Sequence, residues 1–339
     1  MSRREHIYGF IIIFCAVLGV YLYTVAPTLS FWDCGEYIAC GYSLGVPHPP
    51  GTPLMVLLVR IFTLIPFGKE IGFRANMFCV LSGAVSAAFV WLITVKIIGR
   101  IKKLETRMEK VLAWLGGSVG AFMAAFSYSR WWDSVETEVY CPSTAILIFC
   151  VWLTLKWEEN LRTPEHKKYL LLLAYLAALS SGLHLAPLLG IPGILLFMFL
   201  RNRKEIKDPS ILRYIALLIP FFGICATVPL PIILVLGAFA IGFILWPTQG
   251  FERDNKFFIL TAVLIIIGFT TYAFLIIRAR QNPRINEVAP TNIEKLWESF
   301  TRQQYGPSGM AIIFKRTTAS KESGYNFLQA LYAQYKFFC

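Results

Sequence analysis

Charge is scarce in this chain. Only 15% of its 339 residues are Asp, Glu, Lys or Arg, and 56% are apolar, whereas a water-soluble domain carries roughly 25% charged residues. With a mean hydropathy of +0.59, a soluble globular class is excluded and a polytopic membrane protein is expected. Gly-x-x-x-x-Gly-Lys-Ser/Thr is absent. Without that loop to cradle phosphates, cytosolic nucleotide hydrolysis has no support. No Gly-x-Ser-x-Gly elbow presents a serine nucleophile. The eight cysteines include no Cys-x-x-Cys and no Cys/His spacing suited to zinc. Cys15, Cys79, Cys150 and Cys225 fall in apolar stretches, as small buried hydrophobes do. Cys34, Cys40 and Cys141 fall in loops, where a disulfide among them stays open. There is no low-complexity segment and no internal repeat of the kind that marks many secondary transporters.

The formal charge of +12 would suit nucleic acid. Its placement argues otherwise: Lys and Arg cluster in short segments between apolar stretches, as the positive-inside rule describes. Nucleic acid is not expected as a partner, and membrane lipid headgroups account for the excess charge. Ser2-Arg-Arg-Glu-His6 precedes an apolar run from Ile7 to about Ala26 without a small-x-small cleavage site, which reads as an uncleaved signal anchor.

A spanning helix needs about 20 apolar residues. Candidate runs lie at 7–27, 74–98, 111–128, 143–157, 169–182, 184–200, 214–230, 231–247 and 257–278, so the expected fold is an all-α bundle of about nine transmembrane helices. Val228-Pro-Leu-Pro231 divides one long run into a hairpin. The stretch 54–66 is apolar but short, with Arg60 in its middle and Pro66 at its end. If it crossed, the basic segments 99–110, 156–168, 201–213 and 252–256 would all leave the side of Ser2-Arg-Arg, which the positive-inside rule disfavours. So 54–66 is expected to be interfacial or re-entrant, inside one long first outer loop, 28–73. Residues 1–280 then form the transmembrane domain, and 281–339 an outer-side tail that could open a truncated C-terminal region.

Within that loop, Phe31-Trp-Asp-Cys-Gly-Glu-Tyr37 and Val46-Pro-His-Pro-Pro-Gly51 place Asp33, Glu36 and His48 at a bilayer edge. An anion there loses hydration that only a specific partner restores. Asp33 and Glu36, one helical turn apart, could supply a general base for a hydroxyl or bind a divalent cation. They also fit a helix N-cap with its capping box, and both readings stand. His48 sits between prolines that lock φ, a stiff mounting suited to a phosphate or sugar and equally to an ordinary turn. Trp131-Trp-Asp-Ser-Val-Glu-Thr-Glu-Val-Tyr140 pairs acids with aromatics. That fits a carbohydrate site and also an interfacial belt. Glu138 lies nearest the following span, with Tyr140 beside it. His184 closes Ser180-Ser-Gly-Leu-His184 at a helix end, where a structural histidine is the commoner explanation. Arg278, Arg280, Arg284 and Arg302 suit a lipid phosphodiester, although long tails escape the positive-inside rule anyway.

Taken together, Phe31-Trp-Asp-Cys-Gly-Glu-Tyr37, His48-Pro-Pro-Gly51, Glu138-Val-Tyr140, Gly182-Leu-His184, Asn282-Pro-Arg-Ile-Asn286 and Arg302-Gln-Gln-Tyr-Gly306 resemble the GT-C superfamily of membrane glycosyltransferases. More narrowly, they resemble a bacterial family of formerly unknown function, related to the ER O-mannosyltransferase that modifies IPT domains. The resemblance runs from about residue 7 to 310. It implies Asp33 as the base with Glu36 beside it, and His48, Glu138, Tyr140, His184, Asn286, Arg302 and Tyr305 around one outer cavity. Two positions depart from the family pattern, which usually has Ser at Cys34 and often Pro at Arg284. Members usually continue with further helices, so a short member or a fragment is expected. The implied reaction moves mannose or another hexose from a polyprenyl-phosphate donor to Ser/Thr hydroxyls of exported proteins, at the outer face of a bacterial inner membrane or at the ER membrane. A rival reading from the residues is a transporter or lipid flippase with acidic ion sites at the outer face. It predicts acids deep within spans and broken helices in paired halves.

Overall fold

The structure is a computed structural model that describes residues 1–68, 70–163, 165–202, 209–225, 237 and 251–305. Among the described residues it is built from helices and their connections, with no β-strand. The elements are α1 (Arg3–Thr24), α2 (Cys34–Ser43), α3 (Pro53–Leu64), α4 (Ile71–Ile101), α5 (Arg107–Phe126), α6 (Tyr128–Val135), α7 (Tyr140–Glu159), α8 (His166–Ser180), α9 (Ile191–Arg201), α10 (Pro209–Cys225), α11 (Phe251–Phe269), α12 (Ala273–Ala279) and α13 (Ile293–Phe300).

Four helical stretches are long and apolar enough to cross a membrane: α1, α4, α7 and the run Lys256–Ala279 through α11 and α12. A fifth arises if α5 and α6, bent by 66°, count as one span. Nine spans are therefore not found among the described residues. The expected runs 169–182 and 184–200 become the 15-residue α8 and the 11-residue α9. Apolar counting misses the break between them. The hydroxyls of Ser180 and Ser181 turn back onto Ala177 and Ala178 carbonyls, and the chain leaves the helix through Gly182. Pro220 lies inside α10. The hairpin expected at 228–231, the run 231–247 apart from residue 237, and the tail beyond residue 305 lie outside the described residues.

The reading of 54–66 has a structural counterpart. It is the 12-residue α3, shorter than a crossing and preceded by the 10-residue α2, so the loop 28–73 carries two small helices. Ion pairs support the same arrangement. Lys96 reaches Glu159 at 2.6 Å, Arg100 reaches Glu158 at 2.6 Å and Arg201 reaches Glu158 at 2.5 Å. The ends of α4, α7 and α9 therefore share one face, and Arg3 and His6 of α1 line a cavity with Lys96 and Lys156 there. Asp33, His48, Tyr140, His184 and Arg302 gather around a different cavity.

Inside a bilayer, helices gain little from hydrophobicity between themselves and rely on close packing around small residues. The α1–α4–α5 core shows this. Trp91, fully buried, occupies the space a side chain would need at Gly9 and Gly117, and it donates its indole N–H to the Trp114 carbonyl at 3.2 Å. Outward, α1 exposes Ile7, Ile11, Ile12 and Leu22, as a lipid-facing helix does.

Candidate functional site

Asp33 stands at the N-cap position of α2, and its side chain makes no capping bond. The capping-box alternative is not realised, because Glu36 turns away from the helix start toward His48. One Glu36 oxygen accepts the His48 backbone N–H at 2.7 Å and the other lies 2.6 Å from the ring Nδ1. This pairing directs His48 Nε2 at Asp33 Oδ2, 3.8 Å away. Asp33 remains half exposed, at 54% of its side chain. Burial opposes ionisation of Glu36, yet the ring and backbone hydrogen bonds from His48 outweigh it and hold the carboxyl below its usual range. In return, the Glu36 hydrogen bond raises the His48 pKa against the opposing effect of burial.

Backbone contacts explain how motifs far apart in sequence meet. Val46 and Asn286 form a parallel bridge in which Val46 N–H donates to the Ile285 carbonyl at 2.9 Å and Glu287 N–H donates to Val46 at 3.0 Å. Leu54 N–H, at the start of α3, donates to the Gly182 carbonyl at 2.9 Å. Between these anchors, Gly51 takes φ +87°, and a Cβ there would lie 2.6 Å from Leu275 Cδ1 of α12. Only glycine suits both demands. The segment carrying His48 is thus pinned to 285–287 on one side and to the turn before His184 on the other.

A cavity of about 170 Å³ results, lined by Asp33, Tyr37, His48, Tyr140, His184 and Arg302 together with Pro49, Pro50 and Val139. The Tyr140 and His184 rings meet edge to face with centroids 5.2 Å apart. Arg302, in a left-handed backbone conformation at φ 57°, follows α13 and brings in a guanidinium whose Nε is buried without a hydrogen-bond partner among the described residues. Burial, the Arg302 charge and His48 together lower the His184 pKa to about 4, so its imidazole is neutral near pH 7. Glu138 is 4% exposed. Burial, the Asp33 charge and neighbouring acids push its carboxyl up to about 8, so it carries a proton at neutral pH. Chemically, the cavity presents a carboxylate, a cation with an unmet donor and a neutral imidazole, with a protonated acid behind.

The other expected residues fall elsewhere. Asn286 holds the loop: its amide donates to the Ala279 carbonyl at 3.2 Å, and it does not line the cavity. Arg278 donates to the Leu44 and Ser43 carbonyls at the end of α2, which favours the structural reading for that arginine. Arg280 donates to Thr291 and Arg284 is exposed. Tyr305 ends the described chain in the 3-10 turn Gln303–Tyr305, and its side chain lies outside the described residues. Cys34, Cys40 and Cys141 are free thiols.

For a divalent cation, Asp33, Glu36 and His48 offer ligand atoms all within 4.8 Å of one another. The donor set has the right chemistry. With Nδ1 bonded to the Glu36 carboxylate, Nε2 is the nitrogen turned toward Asp33 and able to ligate, the usual orientation of a metal-ligating histidine.

Residues 33–207, just over half of the chain, match the family model of the protein O-mannosyl-transferase TMEM260 N-terminal domain. The chain belongs to this family. It is 31% identical over 184 residues to protein O-mannosyl-transferase TMEM260 of Mus musculus, covering 54% of this chain and 24% of that protein. It is also 24% identical over 227 residues to protein O-mannosyl-transferase tmem260 of Dictyostelium discoideum, covering 62% and 26% respectively. The chain thus spans about a quarter of the length of these relatives. No solved structure matches it.

The TMEM260 match opens at Asp33 and includes Glu36, His48, Glu138, Tyr140 and His184, while Asn286, Arg302 and Tyr305 lie beyond it. Sequence reasoning missed Asn76 of α4. Its buried amide donates to the Ala26 and Thr28 carbonyls at 2.8 and 2.9 Å and accepts from Thr137 Oγ1 at 2.6 Å. This joins the start of the Asp33 loop to the Glu138 loop. The available signal was an amide inside an apolar run, which needs partners. Tyr37 was also missed as a cavity wall, because it reads as one more interfacial aromatic.

Proposed function

We propose that this TMEM260-family chain carries a sugar-transfer site at the face where its motifs gather, using a lipid-phosphate-linked hexose as donor and a Ser/Thr hydroxyl of an exported protein as acceptor. The single observation that carries the reading is the presence, around one cavity, of the Asp33 carboxylate, which makes no capping bond, and of Arg302, whose buried Nε has no hydrogen-bond partner among the described residues. An anionic ligand would meet the arginine, and a hydroxyl would meet the carboxylate.

In this mechanism Asp33 accepts the proton of the acceptor hydroxyl, and the oxygen attacks the anomeric carbon of the donor sugar. The bond from that carbon to the phosphate oxygen breaks with inversion, and the lipid phosphate leaves with the bonding electrons, its charge held by Arg302. Phosphate is a good leaving group, so a strong general acid is unnecessary. His48, oriented by Glu36, faces Asp33 across 3.8 Å. Neutral His184 and the Tyr140 ring line the sugar's side of the cavity. Where a divalent cation binds, Asp33 and His48 Nε2 are the groups that hold it, and it adds positive charge for the phosphate.

A second cavity supports the lipid-linked donor. It measures about 500 Å³, runs between α3, α4 and α7, and is walled by Leu58, Phe62, Phe78, Val85, Phe89 and Phe149. Pro142 and Leu183 also line it, next in sequence to the Tyr140 and His184 regions of the polar site. A polyprenyl chain lying there would bring its phosphate to Arg302. The transporter reading is less well supported, because Asp33, Glu36 and Glu138 gather at one end of the bundle rather than within spans. The test is mass spectrometry of exported proteins from cells with and without the chain. The proposal expects loss of a hexose from Ser/Thr sites, and an unchanged glycoproteome sinks it.

A further inference from the structure

A charged cavity lies at the shared ends of α4, α7 and α9, away from the motif site. It measures about 750 Å³ and is walled by α1, α4, α7 and the start of α8. Arg3, His6, Lys96 and Lys156 face it, against one carboxylate, Glu159. Lys96 is held in place at 12% side-chain exposure by its 2.6 Å pair with Glu159, which Lys156 also reaches at 3.0 Å. One carboxylate cannot balance two lysines and an arginine, so the cavity keeps net positive charge. Its deeper wall is apolar and aromatic: Ile7, Phe10, Leu92 and Trp152. The Lys156 ammonium lies over the Trp152 ring, 5.7 Å from its centroid.

Depth identifies the occupant. Lys96 lies five residues before the end of α4, about 7–8 Å inside the helix end at 1.5 Å per residue. A cation within the last turns of a spanning helix is placed to meet a lipid phosphate while the turns before it lie in hydrocarbon. Ile7 and Ile11, one turn apart on α1, are exposed beside it, so the cavity opens toward the lipid. A soluble anion would find no use for the apolar wall, whereas a phospholipid fills both halves.

We propose that this cavity is a binding site for one anionic phospholipid, its phosphate held by Arg3, Lys96 and Lys156 and its upper acyl chain laid against Phe10, Leu92 and Trp152. Such a lipid would bridge α1, α4, α7 and α8 at the face where Lys and Arg concentrate. This inference is independent of the sugar-transfer reading.

The test uses the full chain purified in detergent and stripped of lipid, titrated with phosphatidylglycerol, phosphatidylcholine or inorganic phosphate while thermal unfolding is followed. Phosphatidylglycerol should raise the midpoint with saturable dependence, and the other two should not. Arg3→Gln with Lys156→Gln should weaken that effect roughly tenfold or more. Phosphatidylglycerol with brominated acyl chains should quench part of the tryptophan fluorescence, and Trp152→Phe should remove that part. This second readout stands if the double variant folds poorly. Equal protection by phosphatidylcholine or by phosphate, unchanged affinity in the double variant, or quenching unaltered by Trp152→Phe would overturn the proposal. So would absence of binding because another segment of the chain already fills the cavity.

Discussion

Glu36 grips His48 at two points, its backbone N–H at 2.7 Å and its ring Nδ1 at 2.6 Å. The carboxylate that looked like a second candidate base is thereby committed to holding an imidazole. Glu36→Gln keeps the shape but loses the charge-assisted bond. It should cost about 1.5–3 kcal/mol, read as a lowered thermal midpoint. The sign also gives a pH signature. The Glu36 contribution is present above its unfolded-state pKa and is lost as pH falls through its lowered folded value. The His48 contribution is present below its unfolded-state pKa and is lost as pH rises through its raised folded value. The variant should flatten both flanks of the stability profile. An unchanged profile would mean the pair is not formed.

Glu138 makes the opposite prediction for an acid. Its folded pKa is raised to about 8, so it favours the folded state fully below its unfolded-state value and less as pH climbs through 8. Glu138→Gln, which mimics the protonated form, should keep sugar transfer at pH 7 within about threefold and unfold at higher temperature than the parent at pH 9. Loss of transfer at pH 7 by 100-fold would require an ionised Glu138 and contradict this assignment.

Gly51 joins a left-handed φ of +87° to a contact in which a Cβ would meet Leu275 at 2.6 Å. Gly51→Ala should destabilise by about 1–3 kcal/mol. Because the strain falls three residues from His48, transfer should fall further than stability alone explains. Equal unfolding midpoints for parent and variant would show that the turn relaxes freely.

Asn76→Ala removes the clamp on Ala26, Thr28 and Thr137 and leaves buried groups unpaired. A loss of about 2–4 kcal/mol is expected. Limited proteolysis should open first in 25–33 or 136–139, the two loops that Asn76 joins.

Sequence legibility followed the range of the physics involved. Hydropathy is local, so α1, α4, α7 and the run ending in α12 were plain, and loop charge separated α3 from the spans. Short-range breaks were harder. The Ser180 and Ser181 hydroxyls bond back within their own turn, and apolar counting read through them into two full spans. Within the candidate site, the residue types of Asp33, His48 and Arg302 stood out, but their division of labour was not readable. Whether Glu36 caps α2 or holds His48 depends on a turn twelve residues later. Whether Asn286 lines the cavity or braces it depends on a bridge to Val46 across the fold.

The most direct test of the account is sugar transfer by Asp33→Asn in membranes supplied with a polyprenyl-phosphate hexose and a Ser/Thr acceptor peptide, with Glu36→Asp assayed alongside. Loss of a general base should reduce turnover about 10²–10⁴-fold while moving the thermal midpoint little, since Asp33 makes no capping bond and its contact with His48 is 3.8 Å long and half exposed, and Glu36→Asp should retain most of the activity. Full transfer by Asp33→Asn would contradict the account.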